Sequence, residues 1–280
     1  MAHGLLLVDK PKGITSHDAV DVVRRTLDIR KVGHAGTLDP MATGLLVMGV
    51  GRATRLLRFL GDMDKEYEGT GRLGQETDTL DAEGEIVRTA PVDVSEADVV
   101  GGMVALTGEL RQRPPAYSAV KVGGRRLHRE ARAGRPAEAE PRNVRVDMFE
   151  LRAFDGRDVE FLAVCSGGTY VRSLVADLGG RLGTGAHLTR LVRTRVGPFM
   201  IEDASPPDAP GPLLPMERAV AHLPRMELSE DEAEAAGHGR PLGPPDGPGF
   251  HAAFEPGGRL VGVYRDCGTR ACPEVIIPRE

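Results

Sequence analysis

The loop from Gly33 to Gly44 concentrates residues that could do chemistry, above all His34 and Asp39. An ionised carboxylate such as Asp39 can act as a nucleophile or stabilise a developing cation. Turn formation also explains the composition, because Asp before Pro starts turns and glycine permits positive backbone dihedrals. The spacing fits no metal-ligand or hydrolase pattern, so these residues by themselves indicate only a candidate site.

The segment from Lys31 to Leu46 closely resembles, without a gap, the catalytic motif of the TruB-type tRNA pseudouridine-55 synthases, in their bacterial, stand-alone form. The resemblance extends over Gly4 to Phe199. Other blocks follow in the family's order: Asp9-Lys10-Pro11 with Gly13-Ile14-Thr15-Ser16, Lys65-Glu66-Tyr67, Arg72-Leu73-Gly74 with Thr77-Asp78-Thr79 and Asp81, Pro114 to Lys121, and Gly168-Thr169-Tyr170-Val171-Arg172.

The resemblance implies a specific reaction on one uridine in the T-arm loop of tRNA. The uracil N-glycosidic bond is cleaved, the base rotates, and it is reattached through C5. This redox-neutral isomerisation needs no cofactor and no metal. The sequence agrees with that expectation, since it contains no dinucleotide-binding fingerprint, no phosphate-binding loop and no zinc-ligand spacing.

By position, the resemblance makes Asp39 the catalytic carboxylate, near the ribose C1′ and C2′. The sequence leaves three routes open for it: attack on C1′, addition to the base, or assistance to a glycal intermediate. Arg172 would pair with Asp39 through a forked hydrogen bond and lower its pKa. The alternative for Arg172 is an ordinary arginine on a helix surface.

Five further residues match positions that line or support the family's pocket. Tyr67 would stack on the base and relay a proton, unless it is a half-buried strand aromatic. Tyr170 would pack beneath the site, although a simple core role fits it nearly as well. His34 would occupy the space left in the RNA loop by the extruded base. Lys10 precedes a proline and Leu191 is expected on a helix, so both are expected only as site neighbours.

The charge of the chain is unevenly distributed, although its net value is −5. Between Arg111 and Arg145 there are ten Arg and Lys against three Glu, whereas Asp62 to Asp98 holds twelve acids against three bases. Such segregation is expected when one face meets a polyanion. The basic stretch, about 111–145, resembles the family's RNA-gripping insertion. The predicted RNA contacts are Lys121, Arg125, Arg126, Arg129, Arg132, Arg190 and Arg193.

Apolar periodicity and capping signals predict the elements that must position these residues. The pattern lacks a regular βαβ rhythm and predicts an α+β fold: a mixed, largely antiparallel central sheet flanked by helices. The predicted strands are Leu5–Val8, Leu45–Val50, Val144–Phe154, Asp158–Cys165, Arg259–Arg265 and Glu274–Ile277. The predicted helices begin after an N-cap at Ser16, over Arg52–Leu60, after Ser95, after Thr169 and after Ser229.

The chain is expected to divide into a catalytic domain over 1–223 and a small β-rich, PUA-like RNA-binding domain over 224–280. The proline-rich segment from Ser205 to Pro215 is predicted to be a linker or an exposed loop. The tail is about the size of a minimal domain, which makes its independence doubtful.

Cysteine content and hydropathy predict a cytoplasmic protein without a membrane span. The three cysteines are too few for a disulfide framework, and Cys267 and Cys272 are expected to be thiols. The expected partner is the T-arm stem-loop of tRNA, bound by a monomer that needs no other protein.

Two other readings remain open from the sequence. The related dyskerin-type branch shares the aspartate motif but modifies RNA selected by a guide ribonucleoprotein; the basic insertion and the modest tail favour the stand-alone branch. A non-catalytic RNA-binding or RNA-folding protein would also explain the basic segment. The presence of both Asp39 and Arg172 favours an enzyme, and an enzyme of this kind could also assist tRNA folding.

Overall fold

The structure, a computed structural model, describes residues 2–118, 120–123, 125–127 and 139–278. Seventeen strands lie within these residues. In chain order they are β1 (Gly4–Lys10), β2 (Val32–Ala35), β3 (Thr43–Val50), β4 (Lys65–Leu73), β5 (Gln75–Thr77), β6 (Ile86–Thr89), β7 (Gly108–Gln112), β8 (Lys121–Val122), β9 (Arg125–Arg126), β10 (Arg142–Phe154), β11 (Asp158–Cys165), β12 (Ala186–Val196), β13 (Phe199–Met200), β14 (Arg225–Glu227), β15 (Phe250–Phe254), β16 (Leu260–Asp266) and β17 (Ala271–Ile276).

The described residues also form four α-helices, which are α1 (Ser16–Leu27), α2 (Glu96–Val104), α3 (Val171–Arg181) and α4 (Glu230–Gly237). Capping boxes start α2 at Ser95 and α4 at Ser229, as predicted. The prediction for α1 was wrong by one residue: Thr15 is the N-cap and shares a capping box with Asp18. Sequence signals for a helix end are often displaced by a residue in this way.

The predicted helix over Arg52–Leu60 is wrong, because the chain forms two 3₁₀ helices there, Gly51–Arg55 and Leu57–Leu60. The buried residues Ala53, Leu56 and Phe59 recur every third position. A 3₁₀ helix has three residues per turn, so it puts all three side chains on one face. The connection from β3 to β4 can then turn tightly and still cover the core.

The central sheet is mixed and largely antiparallel, as predicted. Its main order is β1-β3-β12-β4-β11-β10-β7, with β2 also paired to β3 and β13 to β12. Only β3 and β12 run parallel within it, and they are joined at Thr43 and Gly44. Helix α1 packs on one part of the sheet, and α2 and α3 pack on another.

The predicted hairpin of β10 and β11 is confirmed, with Asp155 and Gly156 in its turn. The predicted insertion over 111–145 is too long, because both of its ends belong to the central sheet. Arg111 in β7 pairs with Asn143 in β10. Strand pairing of this kind needs regular backbone on both sides, so the insertion proper is confined to the residues between the two strands.

The segment from Ser205 to Pro215 was predicted to be a linker or an exposed loop. It is an irregular segment and not a linker, because the structure places it along the edge of the central sheet. Leu5 and Leu214 exchange backbone hydrogen bonds of 2.9 and 2.8 Å. Asp9 donates to the Ser205 carbonyl at 2.9 Å. An edge strand has unpaired N–H and C=O groups, and this segment pairs several of those of β1.

The C-terminal part forms the predicted β domain, a four-stranded sheet in the order β14-β15-β16-β17 with α4 against it. This sheet shares a hydrophobic core with the catalytic part of the chain. The rings of Phe59 and Phe250 pack edge to face at 5.3 Å, and Arg55 donates to the Ile276 carbonyl at 2.6 Å. The tail is therefore packed against the 3₁₀ helices rather than tethered.

The expectation that Cys267 and Cys272 are thiols is wrong, because the structure joins them in a disulfide across the β16–β17 turn. The hairpin places their Cα atoms 6.1 Å apart, which is within the range for a bridge. Cys165 is free and buried, and burial raises the pKa of its thiol to about 11. None of the described helices combines the length and hydropathy required to cross a membrane.

We predict that Phe254→Ala lowers the free energy of unfolding of the whole chain by about 3 kcal/mol, because Phe254 lies in the core shared by the two parts. Urea denaturation followed by circular dichroism measures this. The control is Val104→Ala, at a position that is 67% exposed, which should change stability by less than about 0.5 kcal/mol. Equal, small effects of both changes would contradict a shared core.

Candidate active site

A cleft of about 980 Å³ opens beside the loop that joins β2 to β3. Its other walls come from the start of α1, from β4 and β12, and from the turn that leads into α3. The predicted site residues that line it are His34, Asp39, Tyr67, Tyr170, Arg172, Leu191 and Arg193. The fold therefore brings together residues that lie up to about 160 positions apart, which is expected when non-local strand pairs form the sheet.

The loop that carries Asp39 is held at both of its ends. The Leu38 N–H donates to the Ser16 hydroxyl at 2.9 Å, and that hydroxyl donates back to the Leu38 carbonyl at 3.1 Å. At the other end Gly44 has φ +98° and lies directly against the backbone of Arg193, where a side chain would collide. Only glycine combines this dihedral with so close an approach, so the loop is fixed between α1 and β12.

Asp39 is paired with Arg172 in the first turn of α3. Arg172 Nη2 donates to Asp39 Oδ1 at 3.2 Å, and Arg172 Nε lies 2.9 Å from Oδ2. The predicted forked pair is therefore one hydrogen bond and one close ionic contact. The Arg172 side chain is 4% exposed and that of Asp39 is 35% exposed. The carboxylate thus faces the cleft, while its partner is part of the protein interior.

Asp81 holds Arg172 from the opposite side, and it was not among the predicted site residues. Arg172 Nη1 donates to Asp81 Oδ2 at 3.0 Å, and both side chains are buried. The Thr79 hydroxyl donates to Asp81 Oδ1 at 2.6 Å. Asp81 belongs to one of the blocks that resemble the family. It lies in an acid-rich stretch, however, and the sequence does not show which of these carboxylates is buried.

Burial sets the direction of the Asp39 pKa. Removal of the carboxyl group from bulk water raises its pKa, the charge of Arg172 lowers it, and Asp81 raises it. The net direction is upward. Arg172 does lower the pKa of Asp39, as expected from the sequence, but burial raises that pKa by more than Arg172 lowers it. Arg172 therefore favours the ionised form of Asp39, against surroundings that favour the neutral acid.

Lys10 supports the loop from behind the cleft. Its side chain is completely buried, and Nζ donates to the carbonyl oxygens of Ile14 at 2.8 Å, Pro11 at 3.0 Å and Pro40 at 3.5 Å. Burial lowers the pKa of Lys10 to about 8. Its bonds join the turn after β1 to the turn at Pro40, so it is a site neighbour, as predicted.

The predicted aromatic and apolar site residues line the cleft, and one of them lies in a strand instead of the expected helix. Tyr67 in β4 is 6% exposed, and burial raises its pKa. Leu191 was expected on a helix but lies in β12, and it is also 6% exposed. Tyr170 precedes α3; its N–H donates to Gln112 Oε1 at 2.7 Å, and the guanidinium of Arg142 lies 4.8 Å from its ring centre.

His34 lies in β2 and is half-buried at the cleft wall. Burial and the nearby charge of Arg193 lower its pKa, so its ring is neutral at pH 7. Its buried Nδ1 has no hydrogen-bond partner among the described residues. In contrast to the loop position that the motif suggested, the side chain projects from a strand.

The structure divides the predicted RNA contacts into two kinds. Arg125 and Arg190 are exposed. Arg193 is only 1% exposed, which contradicts its prediction as a surface contact. Side chains two apart on a strand share a face, so Arg193 points inward with Leu191. Arg129 and Arg132 lie outside the described residues, as do the side chains of Lys121 and Arg126.

Within the described ranges, no group of three or more His, Cys, Asp or Glu side chains could hold a metal ion. The chemistry available in the cleft is that of one ionised carboxylate, its buried arginine and a floor of aromatic and aliphatic side chains. Such a set suits attack on, or stabilisation of, an electron-deficient sugar carbon.

The sequence matches established families over most of its length. The model of the TruB family pseudouridylate synthase N-terminal domain matches residues 24–171, which is more than half of the chain. The chain belongs to the TruB family. Models of the tRNA pseudouridylate synthase B C-terminal domain and of the tRNA pseudouridine synthase II C-terminal region match residues 172–206 and 223–278.

Curated relatives carry the name tRNA pseudouridine synthase B. The protein of Thermobifida fusca (strain YX) is 48% identical, with 99% of each chain covered. That of Mycobacterium sp. (strain KMS) is 46% identical, with 99% of this chain and 96% of the relative covered. The TruB-family resemblance read from the motifs is therefore confirmed.

Solved structures show a similar fold. An H/ACA RNP bound to a substrate RNA containing 2′-deoxyuridine includes a chain that is 27% identical, with a TM-score of 0.75 and 99% of this chain and 86% of that chain covered. A Cbf5-Nop10-Gar1 complex includes one that is 28% identical, also with a TM-score of 0.75, covering 99% and 85%. The fold prediction is confirmed.

We predict an acid limb in the pH dependence of the single-turnover rate of uridine isomerisation. If Asp39 acts as the ionised carboxylate that the motif predicts, the rate falls as pH drops through its raised pKa, above the ordinary value of 3.8. Arg172→Met removes the opposing charge and should move the inflection to still higher pH. Arg181→Met, an exposed change on the same helix, should leave the inflection in place. An unchanged inflection in Arg172→Met would refute this assignment.

Proposed function

We propose that the protein converts uridine 55 in the T-arm loop of tRNA to pseudouridine, with Asp39 as the catalytic carboxylate. The observation that carries the proposal is the position of Asp39: it faces the cleft while Arg172 and Asp81 anchor it from the interior. The membership of the chain in the TruB family supports the reaction, and the names of its curated relatives support tRNA as the substrate.

The geometry suits a reaction at the ribose. An oxygen of Asp39 either bonds to C1′ or stabilises the positive charge that develops there when the base departs. Both roles require an ionised, immobile carboxylate, and the buried guanidinium of Arg172 provides both conditions. The same base is then reattached through C5, so nothing is oxidised or reduced and no cofactor is needed.

The target nucleotide has to leave its stack to reach Asp39, since the carboxylate lies inside a cleft and not on a flat surface. Tyr67 and Leu191 would lie against the uracil, since both line the cleft. We assign to His34 the role of filling the space that the base leaves in the RNA loop. A neutral imidazole is suited to that role, because it can stack on bases without attracting the adjacent phosphates.

The RNA surface would surround the mouth of the cleft. Arg142 lines the mouth, and Arg125 and Arg190 are exposed. The predicted contacts Arg129 and Arg132 would extend this surface along the insertion. Contacts of this kind bind the phosphates and the A-form shape of the T-arm and position the loop over the cleft.

We further propose that the enzyme works in the cytoplasm as a monomer without an obligatory protein partner. The similar solved structures are of complexes with other components, an H/ACA RNP and a Cbf5-Nop10-Gar1 complex. In this chain the basic insertion and the packed tail would replace such components. The boundary between the catalytic domain (1–223) and the RNA-binding tail (224–280) would lie after the segment that covers β1.

We predict that the protein releases tritium from a tRNA transcript that carries [5-³H]uridine, and that Asp39→Asn slows this release by about 10⁴-fold. Asn preserves the shape of the side chain but has no charge with which to stabilise C1′. The matched control is Asp93→Asn, at an exposed acid outside the cleft, which should be fully active. A transcript with cytidine at position 55 should release no tritium; release from it would refute position 55 as the target.

We predict that combining Arg125→Glu with Arg190→Glu weakens tRNA binding and lowers the slope of log affinity against log salt by about 1.5, since each lost phosphate contact removes about 0.7–0.9. Filter binding from 50 to 200 mM salt measures the slope. Arg152→Glu is the control, because Arg152 is exposed and lies ten residues along β10 from Arg142, roughly 33 Å away. An unchanged slope in the double variant removes these residues from the interface.

A further inference from the structure

The floor of the cleft contains a buried positive charge that the Asp39 pair does not use. Arg193 is 1% exposed; its Nε donates to the Leu45 carbonyl at 2.7 Å and its Nη2 to the Gly36 carbonyl at 3.0 Å. In the part of the chain that the structure describes, Arg193 forms no ion pair with a carboxylate. Carbonyl oxygens satisfy its N–H groups but do not neutralise its charge.

An unneutralised buried charge destabilises a fold, so its presence in a cleft suggests a use. Arg172 differs in this respect, because it is balanced by two carboxylates. Lys65 is a second buried cation whose Nζ donates only to carbonyl oxygens, those of Gly61 and Met63. Burial and the charge of Arg193 lower the pKa of Lys65 to about 8, which leaves Arg193 as the permanent cation of this pair.

The tip of Arg193 lies between the Asp39 loop and Tyr67. A Cβ atom built on Gly36, three residues before Asp39, would lie 3.4 Å from Arg193 Nη1. On the other side, Arg193 in β12 and Tyr67 in β4 lie directly opposite each other in the antiparallel strand pair, so their side chains share one face of the sheet. The charge of Arg193 opposes the rise in the Tyr67 pKa that burial causes. The guanidinium therefore lies beside the side chain of a residue that lines the cleft.

The proposed isomerisation needs negative charge to be stabilised as well as positive charge. When the N1–C1′ bond breaks, its electron pair stays on uracil and spreads onto the two carbonyl oxygens. The pair is returned when the C5–C1′ bond forms, after which C5 loses a proton and N1 takes one up. Asp39 can stabilise the sugar but, being negative itself, it cannot stabilise the uracil anion. That task requires a donor or a cation on the base side of the cleft.

We propose that Arg193 is a positioning residue that acts through Tyr67: the charge of its guanidinium, beside the Tyr67 side chain, polarises the hydroxyl, which then donates a stronger hydrogen bond to the negatively charged uracil. A charge polarises a neighbouring hydroxyl most strongly in a water-poor site, where it is little screened. The role rests on the proposed function, because it concerns the departing base of that reaction. It also explains why Arg193 is buried instead of exposed to the phosphates.

The test compares uridine with 5-fluorouridine at position 55 of two otherwise identical tRNA transcripts. Fluorine withdraws electrons and stabilises the uracil anion, so the fluorinated base needs less help from the protein. C5 of 5-fluorouridine carries fluorine instead of a proton, so the reaction of this base stops once the C5–C1′ bond has formed. The quantity compared is therefore the single-turnover rate at which the N-linked nucleoside at position 55 disappears. We expect Arg193→Gln to slow this disappearance by about 10²-fold for uridine and by at least about tenfold less for 5-fluorouridine. Arg193→Lys keeps the charge, so its ratio of the 5-fluorouridine rate to the uridine rate should stay close to that of the wild type. Nucleoside chromatography after digestion gives both rates.

Both rates are measured on one preparation, so a partly unfolded variant lowers them equally and leaves their ratio unchanged. Tyr67→Phe is a second variant, which keeps Arg193 but removes the hydroxyl through which it acts. It should shift the ratio in the same direction as Arg193→Gln, and adding Arg193→Gln to it should shift the ratio no further. Equal slowing of the two substrates, in either variant, would overturn the proposal and leave Arg193 a structural residue.

The wild-type protein separates this inference from the proposed function. Pseudouridine at position 55 with an unshifted ratio in the variants would overturn only the role of Arg193. Absence of any product from the wild type on both transcripts would overturn the proposed function, and the role of Arg193 with it.

Discussion

The site depends on one buried guanidinium shared by two carboxylates. Arg172 is bound by Asp81 in the interior and by Asp39 at the cleft. A buried arginine with a single partner would be costly, and loss of either carboxylate leaves a charge only partly compensated. Thr79 strengthens the inner half of the network, since both its carbonyl and its hydroxyl take part. Asp39 is thus held by the stability of the fold and not by its loop alone.

The central sheet supplies the second constraint. Strand β12 lies between β3 and β4, so its inward residues reach the Asp39 loop on one side and Tyr67 on the other. The parallel contact at Gly44 sets how deeply the loop enters the cleft. In our proposals, this arrangement puts opposite charges at the two ends of the reacting bond: a carboxylate on the sugar side and a cation beside Tyr67 on the base side.

The C-terminal part contributes to stability as well as to any contact with RNA. Its sheet completes a core that includes residues of the first strands, and the ion pair of Arg58 with Glu274 lies at the same contact. The second 3₁₀ helix, which carries Phe59, leads directly into Gly61, whose carbonyl accepts a hydrogen bond from Lys65. The tail is therefore continuous, through packed residues, with the floor of the cleft.

Much of the fold was predictable from local signals. Capping boxes, the Asp-Gly turn and apolar periodicity depend on neighbours within a few residues. They placed α2, α3, α4 and the β10–β11 hairpin correctly, and α1 to within one residue. The errors fall where distant contacts decide. The 3₁₀ turns after β3, the Ser205–Pro215 segment on β1 and the Cys267–Cys272 bridge all depend on what packs against them.

The same distinction holds at the site. The sequence by itself determined the family and predicted the pairing of Asp39 with Arg172, because the motif around Asp39 and the block ending at Arg172 are long and specific. The tertiary structure alone decided that Asp81 completes the network, that burial raises the pKa of Asp39, and that Arg193 points inward. Burial and charge balance are properties of the assembled interior. The residues next to a basic or acidic side chain in the sequence do not show whether it will face the interior or the solvent.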